Sequence, residues 1–219
     1  AGGKVPTNYA ELETLAKAVK EKTGKFAICP KIGKDTDILK YFAMDGARVY
    51  DGKKVDLGSP EAAAVMDYWK RMFRNEYIPR ASVMEDHRVA LNMFIREETA
   101  IFFSGPQFLK VVNENNPSLY KKAGAAMPIY GRAGLTDIDV MNIAVTSASK
   151  HKEQAADFAA FVTNGPNQLA FAHLVPILPS VKSALSDKFF SSKEGGIEQE
   201  ARCLAARTLL KSRVLITGL

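Results

Sequence analysis

Cysteine is scarce: the 219 residues hold two, Cys29 and Cys203, with no CxxC pair and no histidine pair beside them. One disulfide or two buried free thiols are both open. Histidine is equally sparse, and His87, His151 and His173 fall in separate segments without ligand spacing, so no metal site is expected. No apolar run approaches the ~18 residues of a membrane span. Basic and acidic residues number 30 and 24 for a net charge of +6, but nowhere do Lys and Arg form a block. They alternate with Glu and Asp, as in KAVKEKTGK, which predicts a dispersed solvated surface and no nucleic-acid partner. The signatures of familiar enzymes are missing as well. GRAG lacks the Lys-Ser/Thr of a phosphate-cradling loop, and neither GxSxG nor HExxH occurs. No enzymatic activity, catalytic residue or cofactor is expected.

What remains is ordinary globular material, 47% hydrophobic and 25% charged, long enough for one large domain or two small ones. After Pro6, YAELETLAKAVKEKTG reads as an amphipathic helix. Thr7 or Asn8 caps it, Leu12, Leu15, Ala16 and Val19 form one stripe, and Gly24 stops it. KFAIC is a short strand, DTDILKYFAMDG a helix, and VYDGKKVDL two extended pieces about Asp51-Gly52. SPEAAAVMDYWKRMFRNEY carries the strongest helix signals. Ser59 is its cap, Pro60 suits the first turn, and Val65, Trp69, Met72 and Phe73 line one face, with Trp69 read as core.

DHRVALNMF is a further helix, TAIFFSGP a strand, QFLKVVNEN a helix, AGAAMPIYG a short strand, GRAGLTDID a loop and VMNIAVT a strand. Ser149 caps a helix over about 152–164 with Ala155, Phe158, Phe161 and Val162 inward. Gly165-Pro166 breaks it before NQLAFAHL, VPILPS is an extended loop, and GIEQEARCLAARTLLKSRVLI closes as a helix. Mixed strands and helices give an α/β or α+β class. Asp137 and Asp139 stand two apart in TDIDV. In a strand they share a face where a carboxylate pair does acid–base work, although a loop carboxylate accepting hydrogen bonds from a bound ligand is the preferred reading.

The order of six segments carries a resemblance. PTNYAELETLAKAVKEKTGK, YFAMDGARVYDGKKVDLGSPEAAAVMDYWKRMF, ALNMFIREETAIFFSGP, AGAAMPIYG, VMNIAVTSASKHKEQAADFAAFVTN and LVPILPS follow one another over nearly the whole chain. In that order they resemble the extracellular solute-binding proteins of family 1, the maltose-binding-protein-like receptors of ABC importers. The resemblance implies an α/β fold of the type II periplasmic-binding-protein kind, two lobes with hinge crossings, mostly the C-terminal lobe being present in an internal fragment. Residues 1–138 then belong to the first part of the C-terminal lobe, 139–183 to a return segment of the N-terminal lobe, and 184–219 to a helix heading back.

It further implies a receptor that closes on a small solute, a sugar or short oligosaccharide, and delivers it to ABC permease subunits in the membrane. The expected location is periplasmic or extracellular, as a lipoprotein or free. Glycerol phosphodiesters, polyol phosphates or other small solutes, and a non-transport sensor of the same fold, are the alternatives. Matched positions suggest Ser104, Gly105 and Gln107, after the AIFF strand, as a cleft loop in which Gln107 replaces a frequent aromatic. Asp35, Thr36 and Leu39 match a second wall, and Asp139, Met141 and Asn142 the lobe crossing. Tyr130 is the remaining candidate for stacking on a sugar, and Val175–Ser180 match a segment near the cleft edge. Tyr41 and Phe42 are expected in the core.

Overall fold

In a computed structural model the described residues are 4–33, 37–48, 50, 54, 57–192, 194–209 and 212–214. The asparagine at position 8 opens the first helix, α1 (Tyr9–Thr23): its side chain accepts from the Glu11 amide, and Gly24 closes the helix with φ 69°, a left-handed turn that costs glycine little. Strand β1 (Phe26–Ile28) follows, then α2 (Asp37–Met44) and α3 (Pro60–Arg74). The Ser59 hydroxyl accepts from the Ala62 amide at the head of α3. Short α4 (Ala81–Met84) and α5 (His87–Ile95) lead into β2 (Thr99–Ile101), which lies parallel to β1 in the register Phe26–Thr99 and Ile28–Ile101. A parallel pair needs a crossover, and α2 to α5 supply it.

The core sits where α1, α2 and α3 meet this pair. Leu12 and Ala16, Phe42 and Met44, and Val65, Trp69 and Met72 are all buried there. Trp69 is 3% exposed, with Tyr9, Tyr41 and Tyr68 around it at centroid distances of 6.0, 4.7 and 4.9 Å. Tyr41 and Phe42 lie in the core as expected, whereas Phe73, placed on the inner face by its spacing, is 39% exposed and Tyr68 takes the buried position.

Beyond β2 a 3-10 turn (Pro106–Phe108) runs into α6 (Leu109–Asn115), then α7 (Pro117–Tyr120) and β3 (Thr136–Ile138). The second half holds α8 (Lys152–Val162), α9 (Gly165–Leu174), α10 (Lys182–Leu185), a 3-10 turn (Lys188–Phe190), α11 (Gly196–Thr208) and β4 (Ser212–Val214). β4 pairs parallel with β3, Thr136 opposite Ser212 and Ile138 opposite Val214.

Several local expectations are corrected here. AGAAMPIYG forms no strand, only a single bridge of Tyr130 to Asn8, whose backbone turns into α1 at the next residue. Part of the expected loop, Thr136–Ile138, is instead a strand. Among the described residues VMNIAVT has no strand partner, and it is exposed, with Met141 78% and Ile143 55% accessible. Ser149 accepts from the His151 amide and is not the N-cap of α8. Phe158 and Phe161 are 65% and 63% exposed, not inward. The final apolar stretch breaks after Thr208 and supplies β4. Cys29 and Cys203 are both free thiols. The two extended pieces about Asp51-Gly52 fall largely outside the described residues.

Candidate functional site

Parallel strands aim their carboxyl ends at one edge of the sheet, and the loops leaving that edge are where open α/β folds bind ligands. Here β1 runs into Cys29-Pro30-Lys31 and β2 into Phe102-Phe103-Ser104-Gly105. The first loop is anchored from below: the Ile32 amide donates to the Ser82 carbonyl at 3.0 Å, and the Cys29 thiol lies 3.6 Å from the Ser82 hydroxyl. Burial raises the Cys29 thiol above the usual range, so it sits there as a neutral group. Lys31 forms an ion pair with Asp37 at the start of α2.

The second loop is aromatic. Asp86 caps α5 by accepting from the Arg88 amide at 2.9 Å. That cap fixes His87, whose Nε2 meets the Ser104 hydroxyl at 3.0 Å. The imidazole stands between Phe102 and Phe108, with centroids at 4.9 and 5.0 Å, and Phe94 backs Phe102 at 5.9 Å. The result is a half-buried shelf of three rings with a polar rim. Burial, then the nearby Lys40 and Lys31 charges, hold His87 below its ordinary pKa, against the pull of Asp37 and Asp86. The shelf histidine is therefore the neutral imidazole at pH 7, able to donate or accept one hydrogen bond.

Lys40 links the shelf to β3. Its field lowers His87 and also opposes the upward shift that burial gives the Asp137 carboxyl, to which the nearby Asp139 charge adds. Asp137 and Asp139 thus interact electrostatically, one half-buried and the other exposed. Among the described residues no group of three or more His, Cys, Asp or Glu is placed to hold a metal ion.

The expected site residues divide into separate groups. Ser104, Gly105 and Gln107 sit together on the shelf rim, where the Gln107 side chain folds back over Gly105 and occupies the space of a Cβ there. Leu39 packs against the core on the same side of α2 as its neighbours Ile38 and Phe42. Asp139, Met141 and Asn142 lie exposed in the run leaving β3. Tyr130 is elsewhere, on a groove formed with α1 and α3. Asp35 and Thr36 lie outside the described residues. Val175–Ser180 are tied back by Ser180, whose amide and hydroxyl both meet the Gln168 side chain. Sequence reasoning missed His87, Phe102, Phe108 and Lys40. The available signal was Asp86-His87 at the head of a helix followed by a phenylalanine pair, but nothing local places His87 against Ser104, 17 residues on.

The family of bacterial extracellular solute-binding proteins matches residues 1–196. Among solved structures, a Synechococcus sp. MITs9220 protein assigned as an oligosaccharide periplasmic-binding protein superposes with a TM-score of 0.89 at 26% identity, covering 97% of this chain and 56% of its own. Maltose-bound MalE3 of T. maritima gives 0.70 at 21% identity, over 96% of this chain and 55% of that one. A Streptococcus pneumoniae solute-binding protein in complex with the blood group A-trisaccharide gives 0.70 at 18%, over 97% and 55%. The chain thus spans a little over half the length of these proteins. A search of the curated proteins found no match. With the family matched over most of its length and the fold shared with type II periplasmic-binding proteins, this chain belongs to the bacterial extracellular solute-binding proteins.

Proposed function

We propose that this chain supplies one wall of a sugar-binding cleft in a receptor that captures a saccharide or short oligosaccharide and hands it to an ABC permease. The observation that carries the reading is the shelf at the carboxyl ends of β1 and β2, where Phe102, Phe108 and neutral His87 stand beside Ser104 and Gln107. Pyranose rings have apolar C–H faces that stack on aromatic side chains and hydroxyl edges that exchange hydrogen bonds with hydroxyls, amides and imidazoles. Residues 1–138 form most of the wall in this reading, and 139–183 reach into a second lobe. The apolar exposure of Val140, Met141, Ile143 and Phe158 supports that assignment, since such a run is normally covered. Ligand contacts made only in the closed arrangement would then shift the lobes toward closure.

The test is a thermal-shift and calorimetric titration with maltose and laminaribiose, with glycerophosphocholine as the phosphodiester comparison. A neutral sugar at a hundredfold over its Kd stabilises a protein by about 2.7 kcal/mol. Phe108→Ala is expected to weaken it by about tenfold, the worth of one ring stack. Binding of the phosphodiester alone moves the assignment to the polyol-phosphate class, for which Lys31 and Lys40 beside the shelf would be the anchors. Unchanged sugar affinity in Phe108→Ala removes the shelf from the site.

A further inference from the structure

A second concavity lies away from the shelf and shares no residue with its rim. It is a cavity of about 530 Å³ between the start of α1, the middle of α3 and the turn at Tyr130–Arg132. That volume lies within the range of small-molecule sites. Its walls are held in place before any ligand arrives. Arg71 grips Glu13 with two parallel bonds of 2.7 and 2.8 Å. Arg132 is fixed from behind by the buried Asp45, which accepts from its amide at 2.8 Å and its Nε at 2.6 Å. Tyr68 donates to the Tyr9 carbonyl at 3.0 Å, and the two rings stack at 4.8 Å, so the floor is rigid as well.

What these pairs leave unused defines the ligand. The Arg71 contacts occupy Nε and Nη2, leaving Nη1, and the Arg132 contact occupies Nε, leaving both terminal nitrogens. Both arginine side chains remain about half accessible, at 50% and 52%. Asp67 adds an exposed carboxylate, and Tyr130 a half-exposed ring. The lining thus offers donors held by their ion pairs, an exposed acceptor and an aromatic plate. Its charges are Arg71 and Arg132 against Glu13 and Asp67, so they cancel. A phosphate or carboxylate drawn to the guanidinium groups meets two carboxylates beside them, and a cation meets the converse. A neutral ring carrying hydroxyls on its edges and C–H groups on its faces meets neither penalty.

We propose that this groove is a second binding site, distinct from the shelf, and that it takes a neutral saccharide. Hydroxyls accept from the free Arg132 and Arg71 nitrogens and donate to Asp67, while the ring face rests on Tyr130. The proposal is independent of what the shelf binds.

It is tested on the full chain by ¹H–¹⁵N chemical-shift mapping with maltose, cellobiose and sucrose, and with glucuronate and glucosamine as charged comparisons. At least one neutral disaccharide is expected to move the amides of Ala10, Gly131 and Arg132, and to do so more strongly than either charged sugar. Tyr130→Ala and Asp67→Asn are each expected to weaken that effect about tenfold, a loss of ~1.4 kcal/mol. Both substitutions are at accessible side chains, and Asp67→Asn preserves shape, so it decides the matter should Tyr130→Ala melt early. Immobile groove amides with every neutral sugar at about 10 mM overturn the proposal. So do preferential binding of a charged sugar and undiminished affinity in Asp67→Asn. Shifts confined to the Ser104 and Gln107 amides support the shelf reading and overturn this one, so the two fail separately.

Discussion

Removing the Arg132 side chain isolates a charge that the fold has taken out of water. Asp45 closes α2, and its side chain is only 1% exposed, whereas the side chain of its partner Arg132 is 52% exposed. The carboxylate accepts from the Arg132 amide and from Arg132 Nε, two charge-assisted bonds that tie the 130–134 turn to the end of α2. The turn presses so close to the Met44 carbonyl that only a glycine fits at Gly131. Arg132→Ala deletes one bond and leaves the other. Breaking a fully buried pair costs about 3–5 kcal/mol, but the retained amide and the half-solvated guanidinium place this pair nearer about 2 kcal/mol. For a chain of this size that is a fall in melting temperature of about 4–8 °C. The assay is urea unfolding of wild type, Arg132→Ala, Asp45→Ala and the double variant. The pair is expected to show a coupling of about 1–2 kcal/mol, because the double variant no longer buries an abandoned carboxylate. Single costs that add to within about 0.5 kcal/mol would refute the clamp.

Trp69→Ala is expected to cost about 3–5 kcal/mol in the same assay. Trp69→Phe is expected to cost less than about 1.5 kcal/mol, since among the described residues the indole N–H has no hydrogen-bond partner to lose; a loss as large as that of Trp69→Ala would refute this. The Glu11 carboxyl is lowered to about 2 by the Thr7 amide, the Lys4 ammonium and the Thr7 hydroxyl. A carboxyl held down in the folded state contributes stability above its unfolded pKa of about 4.3 that disappears as pH falls toward 2, so Glu11→Gln should flatten the acid limb of the stability curve between those values; an unaltered limb refutes it. For His87 the sign is also acid-sensitive. Its lowered pKa means that the unfolded chain binds the proton more readily, so stability is complete above about 6.5 and declines as pH falls through the folded value. An NMR titration of the His87 ring giving a pKa at or above 6.5 contradicts the half-buried shelf.

The parts of this molecule legible in its sequence are those decided within one or two helical turns. Asn8 and Gly24 bracket α1, and Ser59-Pro60 begins α3, because caps satisfy backbone groups locally whatever the rest of the chain does. Trp69 was legible as core because its helical stripe has one apolar side. The misread segments all depend on a partner far along the chain. VMNIAVT has the composition of a strand, but β-propensity is realised only against a neighbouring edge, and residues 140–146 have none among the described residues. β3 and β4 are separated by more than the length of three helices, so no turn chemistry announces their pairing. Phe158 and Phe161 carry the spacing of a buried face and stand exposed, since periodicity records which side of a helix is apolar and not what covers it. The shelf follows the same logic. His87 and Phe102 are each unremarkable in their own segments, and they become a site only when α5 folds back along β2 and brings the head of that helix beside the residues that leave the strand. Tyr130, a stacking candidate by its family position, is joined to Asn8 by a single backbone bridge and lines the groove with α1 and α3. A position inherited from an alignment of segments fixes a residue's place along the backbone, while the chemistry facing its side chain is set by the pairs around it, here Arg71–Glu13 and Arg132–Asp45.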